Sequence, residues 1–300
     1  MTQTQYAQWA AMRQLNQFST TPQLGNLYFC DNSTGSNATA SGGYWPTNPT
    51  LTLMQAHALT TVANGDVVFV GAGHSETITG AAGMTFANSG VTYIGCGNGR
   101  QRPYITFSTS TAAQLIISGA STSFQNFVFD FTGIDAIVAA IALKAVDISF
   151  INCDFICNSG TAGVARGLYA NTSGSPADRL IVQNCRFLGP ATNTGTTTTA
   201  QIDIEYGVDY VIQNNYFCGK MTQAILNATT VLRGNIDSNR FVISTGTSAI
   251  TMAAASTPFI SGNKINVASG TTPVTAAAGF VAGNAYSAAA GVSAGSALTW

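Results

Sequence analysis

A six-residue pattern repeats along the middle of the chain and constrains the fold more than any other feature. An apolar residue is followed two positions later by Asn and three positions after that by Phe, in the segments 124–129, 150–155, 182–187 and 212–217. Weaker copies at 236–241, 260–265 and 281–286 complete a series whose last positions are separated by 26, 32, 30, 24, 24 and 21 residues. A period in the twenties with variable excess indicates a solenoid whose coils carry loop insertions of different length.

The elements of this solenoid are predicted to be β-strands. Apolar and polar residues alternate in 146–150 (VDISF) and 201–206 (QIDIEY), and clusters of Gly, Asn and Ser separate such segments. Parallel strands stacked in register would place each Asn of the pattern over the next, in a ladder inside the coil, and each Phe over the next Phe. We therefore predict an all-β parallel β-helix with Asn126, Asn152, Asn184 and Asn214 in the amide ladder and Phe129, Phe155, Phe187, Phe217 and Phe241 in an aromatic column. Cys153 and Cys185, each directly after a ladder Asn, are expected to belong to the same ladder.

Four regions are expected along the chain. Residues 1–25 form an N-terminal helical arm, and 26–65 form a lead-in with a short helix at 50–59 that caps the open edge of the first coil. The β-helix occupies 66–266, with early strands at 67–70, 91–94, 104–107 and 115–117. Residues 267–300 form a segment rich in Ala, Gly and Ser, and no charged residue occurs from 265 to the end.

Composition excludes several classes of protein. Only 8% of the residues are charged, against about 25% in an ordinary globular domain, and the net charge is -1. This balance predicts no binding to nucleic acid. The longest purely apolar run, 136–143, is too short to span a bilayer, and residues 1–12 lack the pattern of a signal peptide. We expect the six cysteines to be reduced and buried, and we expect neither a metal ion nor a cofactor.

Two segments are candidates for partner binding. Tyr6, Trp9, Met12 and Phe18 recur at every third residue, or a multiple of three, on the predicted arm, so this stripe either packs on its own domain or docks on another chain. In the uncharged C-terminal segment, Phe280, Tyr286 and Trp300 would form an adhesive surface unless a partner covers them.

The best candidate for catalysis is the pair Asp203 and Glu205. On a strand these carboxylates would point to the same face about 6.5–7 Å apart, near the low end of the spacing in inverting glycosidases. With Ile202, Ile204 and Tyr206 facing inward, both acids would lie outside, where they can equally be solvated surface charges. His74, in a Gly-rich turn near Glu76, could act as a general base, but an isolated His is more often structural.

Several motifs resemble known β-helix proteins. Residues 65–76 (GDVVFVGAGHSE) resemble the first coil of pectate-lyase-like proteins. The segments 95–107 and 133–136 and the Asn-Cys-x-Phe pattern are similar to those of β-helix virion proteins of tailed bacteriophages. The resemblance covers about residues 40–265. It implies a right-handed parallel β-helix, a non-enzymatic structural role in the virion and association as a homotrimer.

These observations favour a head decoration (cement) protein, made in the host cytoplasm, that docks on the major capsid protein and stabilises the shell. The short arm supports this assignment, because a tailspike normally has a longer helix and a separate head-binding domain. One alternative is a tail-fibre or tailspike module that binds host glycans through exposed aromatic residues, for instance near Tyr169 or Tyr210. The other is a polysaccharide hydrolase or lyase that uses Asp203 and Glu205.

Overall fold

The structure is a computed structural model. It describes residues 25–37, 42–43, 48–108, 110–133, 136–157, 163–171, 177–190, 198–227, 229, 233–253, 256–268, 271–275 and 280–288. The predicted arm with Tyr6, Trp9, Met12 and Phe18 lies outside these residues, as does Trp300.

Within the described residues the chain forms three parallel sheets, which it visits in turn from residue 67 onward. Sheet 1 has ten strands: β1 (Leu27–Cys30), β2 (Val67–Val70), β5 (Thr92–Gly95), β8 (Ser123–Gln125), β11 (Ser149–Ile151), β14 (Ile181–Gln183), β17 (Tyr210–Gln213), β20 (Gly234–Asp237), β23 (Pro258–Ser261) and β26 (Phe280–Ala282). Sheet 2 has nine: β3 (Ser75–Ile78), β6 (Tyr104–Phe107), β9 (Val128–Asp130), β12 (Asp154–Ile156), β15 (Arg186–Leu188), β18 (Tyr216–Lys220), β21 (Arg240–Thr245), β24 (Lys264–Val267) and β27 (Ala285–Ala288). Sheet 3 has eight: β4 (Met84–Phe86), β7 (Leu115–Ile117), β10 (Ile141–Leu143), β13 (Arg166–Ala170), β16 (Ala200–Ile204), β19 (Gln223–Asn227), β22 (Ser248–Met252) and β25 (Thr272–Thr275).

This arrangement confirms the predicted parallel β-helix. Each strand pairs in parallel with the strand one coil further along, so a residue of the repeat lies beside its counterpart in the next copy, as Phe155 does beside Phe187. The sheets extend beyond the predicted bounds of 66–266 at both ends. Strand β1 already pairs with β2, and strands β25 to β27 continue the three sheets past residue 266.

The predicted aromatic column is present in the core. Phe129, Phe155, Phe187, Phe217 and Phe241 are fully buried. Successive ring centroids are 5.3, 4.5, 4.6 and 4.8 Å apart, and the ring planes are within 13° of parallel. Stacked aromatic pairs contribute about 0.5–1.5 kcal/mol each beyond the burial of their apolar area, so the column couples each coil to its neighbours.

The amide ladder lies one residue further along the chain than predicted. Asn126, Asn152, Asn184 and Asn214 have left-handed backbones, with φ between 55° and 64°, and form the outer residue of the turn between sheets 1 and 2. Their side chains are half-buried or exposed, and Asn152 Nδ2 donates to Asn126 Oδ1 at 3.1 Å. Asn tolerates this backbone conformation better than other residues with a side chain, apart from Asp, which explains its recurrence there.

The inner residue of the same turn carries the ladder. Asn215, Asn239, Asn263 and Asn284 follow one another in this slot, and the first three are buried. The backbone N–H of each donates to Oδ1 of the next at 2.8–2.9 Å, and the side-chain amide donates to the same oxygen at 2.9–3.0 Å. Cys153 and Cys185 precede them in the slot as expected, and all six cysteines of the chain are free.

The capping helix is shorter than predicted but lies where it was expected. Helix α1 (Leu53–Leu59) packs against β1, β2 and β4, at the N-terminal ends of sheets 1 and 3. Its residues Leu53, Ala56 and His57 are buried. Burial lowers the pKa of His57, whose Nε2 accepts the N–H of Ala87 at 3.1 Å. The neutral ring can then donate from Nδ1 to the Tyr93 hydroxyl, 2.6 Å away.

Candidate functional site

Four polar side chains meet on the outer side of sheet 3, on or just after the neighbouring strands β13 and β16. Arg166 Nε donates to Oδ2 of Asp203 at 2.7 Å, and the guanidinium carbon lies 4.5 Å from the ring centroid of Tyr169. The Tyr169 hydroxyl donates to Oε1 of Glu205 at 3.0 Å. We call Arg166, Tyr169, Asp203 and Glu205 the sheet 3 polar cluster.

The placement of these acids differs from the sequence prediction. Asp203 points away from the core but is fully buried, because the outer side of the sheet is covered at this strand. Strand β16 ends at Ile204, and the N–H groups of Glu205 and Tyr206 both donate to the carbonyl of Ala170. This bend interrupts the alternation of the strand, so Tyr206 is 37% exposed and does not face the core.

The buried carboxyl group of Asp203 has a raised pKa, and one of its two oxygens accepts no hydrogen bond. Burial raises its pKa, the hydrogen bond and charge of Arg166 oppose the rise, and the nearby Glu205 adds to it. Its Oδ1 has no hydrogen-bond partner, and the buried amide of Gln201, two residues earlier, has none on either atom. Buried polar atoms of this kind normally bind an ordered water or a ligand group.

The cluster has two features of a glycosidase active site but lacks a third, which is access for a substrate. A carboxyl group with a raised pKa stands beside a second carboxyl group, which is the arrangement that divides the acid and base roles in glycoside hydrolysis. Asp203, however, is 0% exposed, so a substrate cannot reach it in this conformation. The arrangement fits a structural ion pair that holds β13 to β16 better than it fits an open catalytic centre.

A second polar network surrounds His74 at the N-terminal end of the solenoid. The backbone N–H of Asn32 donates to Nδ1 of His74 at 3.1 Å, which places the ring proton on Nε2, facing Oε1 of Glu76 at 2.6 Å. The same oxygen accepts the N–H of Leu53, the first residue of α1. The network therefore ties the capping helix to β1 and β3.

Cys30, which the sequence pattern did not connect to His74, lies beside this network. Possible ligand atoms of Cys30, His74 and Glu76 all lie within 4.8 Å of one another, as they would around a metal ion. A metal-binding His normally donates its other ring N–H, whereas both ring nitrogens of His74 are already engaged in hydrogen bonds. Burial, with a smaller effect of Glu76, raises the pKa of the Cys30 thiol, which disfavours the thiolate a metal requires. The geometry around His74 therefore favours a structural hydrogen-bond network at the capping helix rather than a metal site.

The remaining predicted contact residues are dispersed. Tyr210, expected near a glycan-binding face, is buried in the core, with 1% of its surface exposed, and Tyr169 is half-buried beneath Arg166. Tyr286 packs against the end of the core, beside Ile265. The backbone of Phe280 pairs with β23, and its side chain lies outside the described part. No described face therefore combines these aromatic residues.

Among the described residues, no helix has the length and apolar composition needed to cross a bilayer. The chain matches no protein-family model, and no curated protein matches it in sequence.

Proposed function

We propose that this chain is a structural protein of a tailed-bacteriophage virion and that it decorates the head. The burial of Asp203 carries the proposal, because this acid of the candidate catalytic pair is fully buried in an ion pair with Arg166, out of reach of a substrate. The phage-like segments 95–107 and 133–136 support the virion assignment. The stacked Phe and Asn side chains make the solenoid rigid, which supports a structural role.

In this function the predicted arm docks on the major capsid protein, and the chain associates as a homotrimer. A protein that binds only the assembled shell stabilises it by mass action, by about 2.7 kcal/mol when its free concentration is 100 times Kd. The solenoid would act as the rigid body that holds the docking segments in place.

The test is an image reconstruction of whole virions with this chain labelled. Density for the β-helix on the outer surface of the head supports the proposal, and labelling confined to the tail contradicts it. Light scattering at micromolar concentration tests the oligomeric state separately, and a stable monomer contradicts the homotrimer.

The raised pKa and the unused Oδ1 of Asp203 favour a second candidate, a polysaccharide-cleaving tail protein whose cluster opens when substrate binds. Host capsule would then be degraded by the wild-type chain and not by a Glu205→Gln variant. The matched control is Asp209→Asn, which alters an exposed acid outside the cluster. Absence of cleavage by the wild-type chain contradicts this candidate.

A further inference from the structure

A groove of about 290 Å³ crosses the outer face of the last three described strands of sheet 2, which are β21, β24 and β27. The sheet 3 polar cluster lies on a different sheet. Arg240 and Lys264 lie along one side, directly opposite each other in the register of β21 and β24. The next outward-facing row consists of Val242, Asn266 and Ser287. The groove is therefore cationic on one side and neutral, with hydrogen-bonding groups, on the other.

The two cations lie side by side in a chain with few charges. Both side chains are exposed, and adjacent strands are about 4.8 Å apart, so their charges repel each other. Within the described residues, ion pairs engage Arg102, Arg166, Arg179, Arg186 and Arg233, but neither Arg240 nor Lys264. A ligand with negative charge would remove this repulsion.

The two cations of the groove are suited to binding carboxylates. The planar guanidinium of Arg240 matches the two oxygens of a carboxylate, and the Lys264 ammonium adds a point charge beside it. Two cations are too few for a nucleic acid backbone, whose binding depends on many phosphate contacts. The aromatic residues that line the groove offer little surface for packing on a sugar, because Phe241 is fully buried and Tyr286 packs against the core. The nearby Tyr216 ring lies 5.4 Å from the guanidinium of Arg240 and is covered by it.

We propose that this groove binds an extended acidic segment of a partner protein. In an extended chain, residues i and i+2 point to the same side about 6.5–7 Å apart, so two acidic residues at this spacing can reach Arg240 and Lys264 together. Asn266 and Ser287 are placed to bind the neighbouring backbone or side-chain polar groups. The inference does not depend on the virion assignment, because peptide binding is measured on the isolated chain.

The experiment measures fluorescence anisotropy of a labelled hexapeptide of alternating Glu and Ser with the full chain. Binding should weaken as NaCl is raised, and a peptide with Gln in place of Glu should not bind. The double variant Arg240→Gln/Lys264→Gln should bind about tenfold more weakly, because it removes both charged contacts to the peptide at once. The matched control Arg100→Gln/Lys144→Gln removes the same charge elsewhere and should stay within about twofold of the wild type.

A second variant tests the groove without removing its cations. Asn266→Glu places a carboxylate beside Arg240 and Lys264 and should block the peptide by pairing with them. The proposal would be overturned if the two double variants bound the peptide equally weakly or if Asn266→Glu bound it as tightly as the wild type does. It would also be overturned if the Gln peptide bound as tightly as the Glu peptide. Tighter binding of a uronic acid oligosaccharide than of the Glu peptide would overturn the assignment to a protein partner.

Discussion

Two neighbouring residues in each coil carry Asn for different physical reasons. At the outer position, Asn214 and its equivalents adopt φ near 55°, and in later coils Ser238, Gly262 and Gly283 take the same conformation. At the inner position, Asn239 uses the donors and the acceptor of its amide within the stack. The outer slot selects for backbone conformation and the inner slot for hydrogen-bonding capacity.

We expect these two positions to respond differently to substitution. Asn239→Ala removes the acceptor for the N–H of Asn215 and the donor for the carbonyl of Ile212, so the free energy of unfolding should fall by about 1–3 kcal/mol or more. Asn214→Gly keeps the left-handed turn and should change the free energy of unfolding by about 0.5 kcal/mol at most. Denaturant unfolding of both variants measures the difference. Equal losses would show that the inner amides do not contribute specifically.

Asp154 predicts a dependence of stability on pH. Burial opposes its ionisation, but hydrogen bonds and charge from Arg186 and Arg102 outweigh this effect and hold its pKa below the usual range. A lowered folded-state pKa means that the ion pairs stabilise the fold fully above the unfolded pKa of about 3.9. This stabilisation is lost as the pH falls below about 4.

Asp154→Asn should therefore reduce the free energy of unfolding by about 3–5 kcal/mol at pH 7, and the difference from the wild type should shrink below about pH 4. The control is Asp147→Asn, because Asp147 and its partner Arg179 are largely exposed and their pair should contribute little to stability. Urea titrations at a series of pH values provide the measurement. A difference that persists unchanged at pH 2 would contradict the ion-pair explanation.

At the scale of the element, the capping helix depends on its surroundings. Seven residues are too few for a stable isolated helix, so α1 is held by buried contacts and by capping of its first turn. Thr52 Oγ1 accepts the N–H of Gln55 at 3.2 Å, and Glu76 accepts that of Leu53. The helix in turn covers the end of the solenoid at β1 and β4.

Detaching this helix should expose edge strands and promote self-association. Ala56 is fully buried on the inner face of α1, whereas Ala58 is on its exposed face. Ala56→Asp places a charge in the packed interface and should raise the mean mass in light scattering above that of the wild type as concentration increases. Ala58→Asp introduces the same charge and should leave the mass unchanged. Identical masses for the two variants would mean that the helix does not protect the edge.

Elements with strong periodic patterns could be predicted almost to the residue. Strands β2, β6 and β7 begin and end where they were predicted, and the Phe column follows from the repeat alone. The position of the amide ladder could not be predicted, because the spacing of the repeat does not reveal which of two adjacent turn residues has a left-handed backbone. The inward orientation of Tyr206 was predicted wrongly because strand β16 ends two residues before it.

Contacts between distant residues were also beyond the sequence. Cys30 and His74 are 44 residues apart, and they meet because both lie at the first coil. Nothing in the spacing of acids and bases indicated that Arg166 would neutralise Asp203, since the two residues come from different coils of sheet 3. The candidate site was therefore identified by residue type, while its burial and closure required the three-dimensional arrangement.

At the scale of the whole molecule, scarcity of charge follows from the architecture. The solenoid buries apolar side chains of every sheet and satisfies turn amides with neutral Asn side chains, so few ionic groups are required. The charges that remain are used locally. Exposed pairs at Asp147–Arg179 and Asp209–Arg233 link successive coils at the turns that precede sheet 1. The buried acids Asp154 and Asp203 pair with arginines of other coils at sheets 2 and 3.

Most contacts of a coil in such a molecule are with its neighbours, which predicts how damage spreads. Phe187 stacks on Phe155 and Phe217, so Phe187→Ala should cost about 3–5 kcal/mol and weaken the coils on both sides. Hydrogen exchange of the intact chain should then accelerate most in β12, β15 and β18 and progressively less toward the ends.

Tyr286→Ala removes a half-buried ring at the end of the core and provides the control, with acceleration confined to β24 and β27. The comparison separates two views of the solenoid. Uniform acceleration along the whole chain in the Phe187 variant would mean that the coils unfold as one cooperative unit, whereas a graded profile centred on β15 means that stability is transmitted from coil to coil through the aromatic column.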